Sequence, residues 1–165
     1  MSYAFSSLDE LGEGPGFRKV RGAMGITAFG VNGVVYPPGH PGVHHYHDTQ
    51  DELYFVHSGT AKVEVGGEER ILGPGGLFHV ESTTPRRIAN VGDEELVMLV
   101  VGGKGGYVER DGHVMSEEDL MVRQGLSGVG SREPHRSGGA GSAGTGAGTS
   151  GVGSTEPHTG TKEGS

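Results

Sequence analysis

Histidines carry the strongest chemical signal in this sequence. Six of the nine fall between positions 40 and 79, and the segment 39–52 is GHPGVHHYHDTQDE. His45 and His47 stand two residues apart, so on a β-strand both imidazoles project from one face, to which Glu52 can return a carboxylate after a short turn. Two imidazoles and a carboxylate suit divalent iron, manganese, nickel, copper or zinc better than calcium or magnesium. The sequence therefore predicts a metal site here, against the plainer interpretation of a solvated, histidine-rich loop.

Short strands must position this cluster. Segments rich in β-branched or aromatic residues alternate with turn signals such as Pro37-Pro38-Gly39. The predicted strands are Ile26–Tyr36, Glu52–His57, Ala61–Val65, Arg70–Leu72, Leu77–Val80, Arg86–Val91, Glu95–Val101 and Tyr107–Arg110. Helical patterns occur only at the two ends, over Ser7–Glu10 and Ser116–Gln124. Strands at this spacing without intervening helices predict an all-β fold, an antiparallel sandwich or barrel with short peripheral terminal helices.

The composition divides the chain into a barrel and a tail. Of its 165 residues, 34 are glycine and only 32 % are hydrophobic. Residues 126–165 hold 12 Gly, 7 Ser and 5 Thr, which leaves too few apolar side chains to offset the entropy lost on ordering. We predict an N-terminal arm with a short helix at residues 1–19, a barrel with a short C-terminal helix at 20–125, and a disordered low-complexity tail at 126–165.

Charge and apolar runs limit the partners. The net charge is −8, and residues 1–125 carry all of it because the charges of the tail cancel. Beyond the short run Phe17–Arg21 no cluster of Lys or Arg is present to neutralise phosphates, which disfavours nucleic acid. The longest apolar run, Leu96–Val101, is too short to cross a bilayer, and the first ten residues lack a signal-peptide pattern. With no cysteine for disulfides or thiolate sites, we expect a cytoplasmic protein that acts without nucleic acid or a membrane.

The histidine segment resembles the first motif of the cupin superfamily. That motif is Gly, five residues, His-x-His, three or four residues, Glu, six residues and Gly, and the matching positions here are Gly39, His45, His47, Glu52 and Gly59. The resemblance spans about residues 20–110 and is typical of a small single-domain cupin. It implies a double-stranded β-helix, a jelly-roll barrel with a small-molecule pocket inside, often in a homodimer.

The second cupin motif is degenerate. Its pattern is Gly, five residues, Pro-x-Gly, two residues, His, three residues and Asn, and counting from Gly75 it falls on Glu81, Thr83, Arg86 and Asn90. Gly75 and Asn90 match the first and last positions of the pattern, whereas Glu81, Thr83 and Arg86 do not match the proline, glycine and histidine between them. In metal-binding cupins this histidine is the fourth metal ligand, so the resemblance places Arg86 where that ligand would be. A guanidinium has no lone pair to offer and repels a nearby cation.

Three arrangements follow from this departure. The metal can be held by the two histidines and Glu52 alone, with open positions for substrate and water. His79, on the preceding strand, can serve as a substitute fourth ligand, although a single histidine there is also typical of a core position. Alternatively, the site binds no metal, and Arg86 grips the carboxylate or phosphate of an anionic ligand. Tyr54, two residues after Glu52 on the same strand, is either a hydrogen-bond donor to the site or simply part of the core.

These patterns favour a single-domain cupin that binds a small metabolite in its barrel, with a divalent metal at His45, His47 and Glu52. The alternative is a metal-dependent cupin enzyme of the dioxygenase, decarboxylase or isomerase type, in which the metal is a Lewis acid or oxygen activator. A further alternative is a metal-free, anion-binding cupin that uses Arg86. The sequence leans towards binding, because the fourth ligand is replaced and no other acid–base pair is visible, so catalytic residues stay unassigned.

Overall fold

Two five-stranded antiparallel sheets form the fold, and a computed structural model describes residues 3–127 of it. The strands are β1 (Gly16–Arg18), β2 (Gly30–Tyr36), β3 (His45–His47), β4 (Asp51–Ser58), β5 (Ala61–Val65), β6 (Glu68–Leu72), β7 (Leu77–Val80), β8 (Arg86–Asn90), β9 (Leu96–Gly103) and β10 (Gly112–Val114). The helices are α1 (Val20–Ala23) and α2 (Glu117–Ser127). The predicted tail, residues 126–165, lies outside the described residues from 128 onwards.

The strand order is that of a double-stranded β-helix. The first sheet runs β1-β2-β9-β4-β7 and the second runs β10-β3-β8-β5-β6, with every pair of neighbours antiparallel. Alternate residues of each strand face the space between the sheets and form the core, which includes Val34, Val56, Val63, Ile88, Leu96 and Met98. The prediction of an all-β jelly-roll barrel is therefore confirmed.

The ends of the barrel differ from the sequence expectation. Ser7–Glu10 forms the predicted reciprocal cap, in which the Glu10 N–H donates to Ser7 Oγ at 3.3 Å and the Ser7 N–H donates to Glu10 Oε2 at 3.0 Å. This cap holds a single turn rather than a helix, because Gly12 follows too soon for helical hydrogen bonds to propagate. The N-terminal helix is α1 instead. At the other end, α2 continues past the predicted stop at Gly125, since Leu126 is buried in the core.

One predicted strand was misplaced. Residues Tyr107–Arg110 form a loop, and the strand that follows is β10, which pairs with β3. The strand predicted to begin at Ile26 begins at Gly30. Within residues 3–127, no helix has the length and apolar character needed to cross a membrane.

The outer face of the first sheet is apolar across several strands. Leu53 of β4 lies opposite Val101 of β9, and Phe55 of β4 lies between Leu99 of β9 and Leu77 of β7. The N-terminal segment and α1 pack over the β2 side of this face. Leu53, Phe55 and Leu77 remain 41 %, 38 % and 62 % exposed, so the β4–β7 side of the face is uncovered among the described residues.

Candidate metal centre and cavity

Strands β3 and β4 bring the predicted ligands together inside the barrel. His45 and His47 lie on one face of β3, and Glu52 points inward near the start of β4. One ligand atom from each residue lies within 4.8 Å of the other two. His47 Nε2 is 3.2 Å from Glu52 Oε1, and His45 Nε2 is 3.7 Å from Glu52 Oε2. The spacing argument therefore placed these three side chains in the right cluster.

The backbone sets the orientation of His45. Its Nδ1 lies 2.9 Å from the carbonyl oxygen of Val43, and because a carbonyl only accepts, Nδ1 carries the proton. The other ring nitrogen, Nε2, then faces Glu52 and lies 3.4 Å from the Tyr54 hydroxyl. A ligating histidine typically donates its other ring N–H in this way, so His45 is already oriented to bind a cation through Nε2.

Two residues that the sequence analysis missed hold His47. Gln50 Nε2 lies 3.0 Å from His47 Nδ1, and Asp111 Oδ2 lies 3.7 Å from the same atom. The Asp111 carboxylate accepts the backbone N–H groups of Gln50 at 2.7 Å and of Thr49 at 3.0 Å. Gly112 lies opposite His47 in the β10–β3 pair, and a Cβ there would come within 3.1 Å of the imidazole. When His47 binds a cation through Nε2, Nδ1 carries the proton, and either the Asp111 carboxylate or the Gln50 amide oxygen, after amide rotation, can accept it.

Arg86 lies directly opposite His45 in the β8–β3 pair and is completely buried. Its Nη2 donates to Glu52 Oε2 at 2.7 Å, and its Nη1 donates to the carbonyl oxygens of Ser82 at 3.0 Å and Thr84 at 3.1 Å. The count from Gly75 therefore placed Arg86 correctly beside the cluster. This position differs from the predicted role of binding an anionic ligand, because the guanidinium is paired with Glu52 and does not line the cavity.

Hydrogen bonds keep Glu52 ionised despite its burial. Burial alone would raise the pKa of the Glu52 carboxyl, but hydrogen bonds from His45, His47 and Tyr54 hold that pKa well below its usual range. The Tyr54 hydroxyl, which donates to Glu52 Oε2, has a pKa raised well above its ordinary value by burial and by the Glu52 charge. Tyr54 is thus both a core residue and a donor to the site, and it stays protonated.

The donor set fits a divalent transition-metal ion with three protein ligands. Glu52 Oε2 accepts from Arg86 and Tyr54, whereas Oε1, on the side of His47, has only the 3.4 Å contact from Gln50 Nε2 and is the oxygen better placed to coordinate an ion. Two imidazole nitrogens and one carboxylate oxygen form the two-His-one-carboxylate set that such ions use with open positions. Among the described residues, no further histidine or carboxylate completes the cluster.

His79 does not reach this cluster. In the β4–β7 pair, His79 lies opposite Leu53, whereas Glu52 lies opposite the inward-facing Val80. Side chains alternate between the two faces of a sheet, so His79 lies on the outer face, where it is exposed. This position corrects the alternative in which His79 serves as the fourth ligand.

A cavity of about 360 Å³ opens onto the three ligands. The apolar side chains of its walls include Phe17, Val34, Val43, Ile88, Met98 and Val100. Tyr36 and Asn32 add polar groups, and the loop Tyr107–Gly112 and Arg123 of α2 complete the lining. Burial and the Glu52 charge raise the pKa of Tyr36 to about 12, and Arg123 opposes this rise. The hydroxyl of Tyr36 therefore lies within electrostatic range of both the ligand cluster and Arg123.

A double-stranded β-helix with two histidines and a glutamate converging inside it defines the class of protein. Residues 33–102 match the family model described as a cupin domain. Residues 33–102 thus form a cupin domain, as the first motif implied. No curated protein matches the chain.

Solved structures share the fold. A cupin protein from Bacteroides fragilis is 22 % identical with a TM-score of 0.54, and the match covers 71 % of this chain and 95 % of that one. A sugar phosphate isomerase of the cupin superfamily from Silicibacter pomeroyi is 26 % identical with a TM-score of 0.54, over 61 % of this chain and 76 % of that one. A DMSP lyase from Ruegeria pomeroyi is 25 % identical with a TM-score of 0.47 over 53 % of this chain, which spans only 43 % of the lyase.

Proposed function

We propose that the barrel binds a small, oxygen-containing metabolite at a divalent transition-metal ion held by His45 Nε2, His47 Nε2 and Glu52 Oε1. The observation that carries the proposal is the convergence of these three donors within 4.8 Å at the cavity. Val43 supports it, because its carbonyl oxygen lies 2.9 Å from His45 Nδ1 and so turns Nε2, the coordinating nitrogen, towards the site.

Arg86 supports a three-ligand ion in particular. Its guanidinium neutralises the outer oxygen of Glu52 from outside the cavity, where it blocks no open coordination position. An ion with three protein ligands keeps positions for oxygen atoms of a ligand or for water. When bound, such an ion supplies Lewis acidity to the oxygen atoms that it contacts. The protein side chains orient the ligand, and the apolar walls limit its contact with water.

A second candidate is an enzyme of the isomerase type. The sugar phosphate isomerase from Silicibacter pomeroyi is similar in fold and is 26 % identical, which supports a phosphorylated carbohydrate as the class of substrate to test. Proton transfer needs a general base. Both carboxylates that line the cavity are engaged, Glu52 by Arg86 and Tyr54, and Asp111 by backbone N–H groups. This engagement favours binding over proton-transfer catalysis.

Metal content tests the proposal. The full-length protein, purified without a histidine tag, is expected to hold about one equivalent of iron, manganese, nickel, copper or zinc by inductively coupled plasma mass spectrometry. His45→Ala and His47→Ala should each lose it. His79→Ala is the matched control, because it removes an exposed imidazole from the outer face and should keep the metal. Wild-type protein that is folded but takes up none of these ions would overturn the proposal, as would equal metal content in all three variants.

Mixing the metal-loaded protein with aldose and ketose phosphates separates the two candidates. NMR of the sugars should show line broadening or saturation transfer on binding without conversion. Turnover that disappears in His45→Ala would establish the isomerase in place of a binding protein.

A further inference from the structure

A strained arginine lies at the mouth of the cavity. Arg110 has φ of +53°, and it is the one described residue other than glycine with a positive φ. L-residues rarely adopt this left-handed conformation, because Cβ then crowds the following carbonyl group, and glycine or asparagine is favoured there. Such strain persists only where the surrounding structure holds it, and it concentrates at functional sites.

Contacts on both sides hold the Arg110 backbone in place. Asp111, the next residue, is buried, and its carboxylate accepts the backbone N–H groups of Thr49 and Gln50. On the other side, the ring of Tyr107 lies under the guanidinium of Arg21, with 3.7 Å between the guanidinium carbon and the ring centroid. The loop is therefore tied to the barrel at both ends, and the strained residue between them lines the cavity.

The Arg110 side chain has no hydrogen bond or ion pair with any residue in the described range 3–127. The two carboxylates that line the same cavity have other hydrogen-bond partners, Glu52 the Arg86 guanidinium and Asp111 the backbone N–H groups of Thr49 and Gln50. A guanidinium without a protein partner among residues 3–127 therefore lines the cavity of a chain whose net charge is −8.

We infer that Arg110 binds the anionic group, a carboxylate or a phosphate, of a ligand whose other oxygen atoms face the cluster of His45, His47 and Glu52. The placement of the other oxygen atoms at this cluster rests on the proposed function. A guanidinium offers planar, paired N–H donors that match carboxylate and phosphate oxygens. The ligand class is a small organic acid or phosphate ester with oxygen donors at one end and an anion at the other, and its middle contacts the apolar walls of the cavity.

The variant Arg110→Asn tests both halves of the argument. Asparagine tolerates a positive φ and carries no charge, so the substitution should relieve the strain and remove the anion contact. Calorimetric titration of the metal-loaded, full-length protein uses malonate and glycerol phosphate as charged probes, with malonamide and glycerol as their neutral counterparts. We expect Arg110→Asn to lose at least about tenfold in affinity for the charged probes. Its Tm should rise by about 2–5 °C.

Arg70→Asn is the matched control, since Arg70 is an exposed arginine of β6 outside the cavity lining. It should leave probe affinity unchanged. The inference is overturned if neither charged probe binds the wild type better than its neutral counterpart, if Arg110→Asn binds them as tightly as the wild type, or if its Tm falls. An affinity equal for malonate and glycerol phosphate indicates a general anion site, and a preference identifies the carboxylate or the phosphate as the natural group.

The same titrations, repeated after chelator treatment, separate this inference from the proposed function. Arg110-dependent anion binding in a protein that takes up no metal would refute the metal proposal and leave the anion site standing. If the protein holds one equivalent of metal but Arg110→Asn binds the anions as tightly as the wild type, the anion site is refuted and the metal proposal stands.

Discussion

Replacing Arg86 tests how the barrel maintains a buried carboxylate next to two histidines. Arg86→His removes the 2.7 Å ion pair with Glu52 and places an imidazole directly opposite His45. Removing one partner of a buried ion pair typically costs about 3–5 kcal/mol, because the other charge is left without compensation. Glu52 is only 7 % exposed but keeps its hydrogen bond from Tyr54, so we expect a loss of about 3 kcal/mol in the metal-free protein.

Metal should reverse most of that loss. The imidazole of Arg86→His supplies a fourth nitrogen donor and removes a cation from beside the ion, so metal affinity should rise. A metal at one hundred times its dissociation constant stabilises the folded state by about 2.7 kcal/mol, close to the expected loss. The matched variant Arg86→Met has the same loss of the ion pair and provides no fourth donor.

Urea unfolding with and without zinc or nickel measures both effects, and competition with a chromophoric chelator gives the metal affinity. Arg86→His and Arg86→Met should unfold at similarly reduced urea concentrations without metal, and only Arg86→His should regain stability beyond the wild-type metal response. Wild-type stability in Arg86→Met would refute the importance of the ion pair. Equal metal responses in both variants would show that position 86 does not face the ion.

The remaining predictions concern four other places in the barrel. Gln50→Leu removes the amide that, after rotation, can accept the His47 ring proton, so metal affinity in a chelator competition should fall about 10- to 100-fold with little change in Tm, and an unchanged affinity would contradict this role. Burial opposes ionisation of Asp119, but hydrogen bonds from Ser116 and the backbone N–H of His44 lower its pKa below the ordinary value. The ionised Asp119 carboxylate therefore stabilises the folded protein above the unfolded-state pKa of about 3.9, and this stabilisation is lost as pH falls through the lower folded-state pKa. Asp119→Asn should cost about 1 kcal/mol in urea unfolding at pH 7, and the difference from the wild type should vanish in strong acid, whereas a pH-independent difference would rule out stabilisation by the ionised carboxylate. Leu126→Ala should lose about 2–3 kcal/mol of unfolding free energy, because the side chain is 5 % exposed in the core, and a loss near zero would place it outside the core. If the homodimer implied by the cupin resemblance forms through the uncovered outer face, light scattering should show that Phe55→Glu is monomeric while Ile71→Glu, 60 % exposed on the second sheet, is not.

The alternation of apolar and charged residues along single strands made much of the barrel predictable. Ala61–Val65 was predicted with its observed bounds, because Ala61 and Val63 alternate with charged residues and both face the core. Glu52 and the two histidines were found in the same way, since their spacing depends only on neighbouring residues. By contrast, β10 forms at Gly112–Val114 rather than at Tyr107–Arg110, because strand β3 is its partner and decides which residues pair. That pairing is not visible in the local sequence.

Contacts between distant strands account for what the sequence did not show. His79 was a candidate ligand because its strand precedes Arg86, but the register of β7 against β4 turns it outward. A shift of one residue would have reversed this, and no local pattern specifies it. Asp111 was missed for a similar reason. An aspartate beside a glycine is typical of a solvated turn, and its part in the site depends on backbone N–H groups 61 and 62 positions earlier.

The internal pairing of Arg86 with Glu52 would separate uptake of the proposed metal from folding. In a site where carboxylates depend on a cation for neutralisation, the chain cannot mature without the ion. Here the carboxylate is already balanced by a guanidinium from the same barrel, so the chain can complete its fold first and take up an ion afterwards. For the proposed metal site, removal of the ion by a chelator should therefore leave the barrel folded.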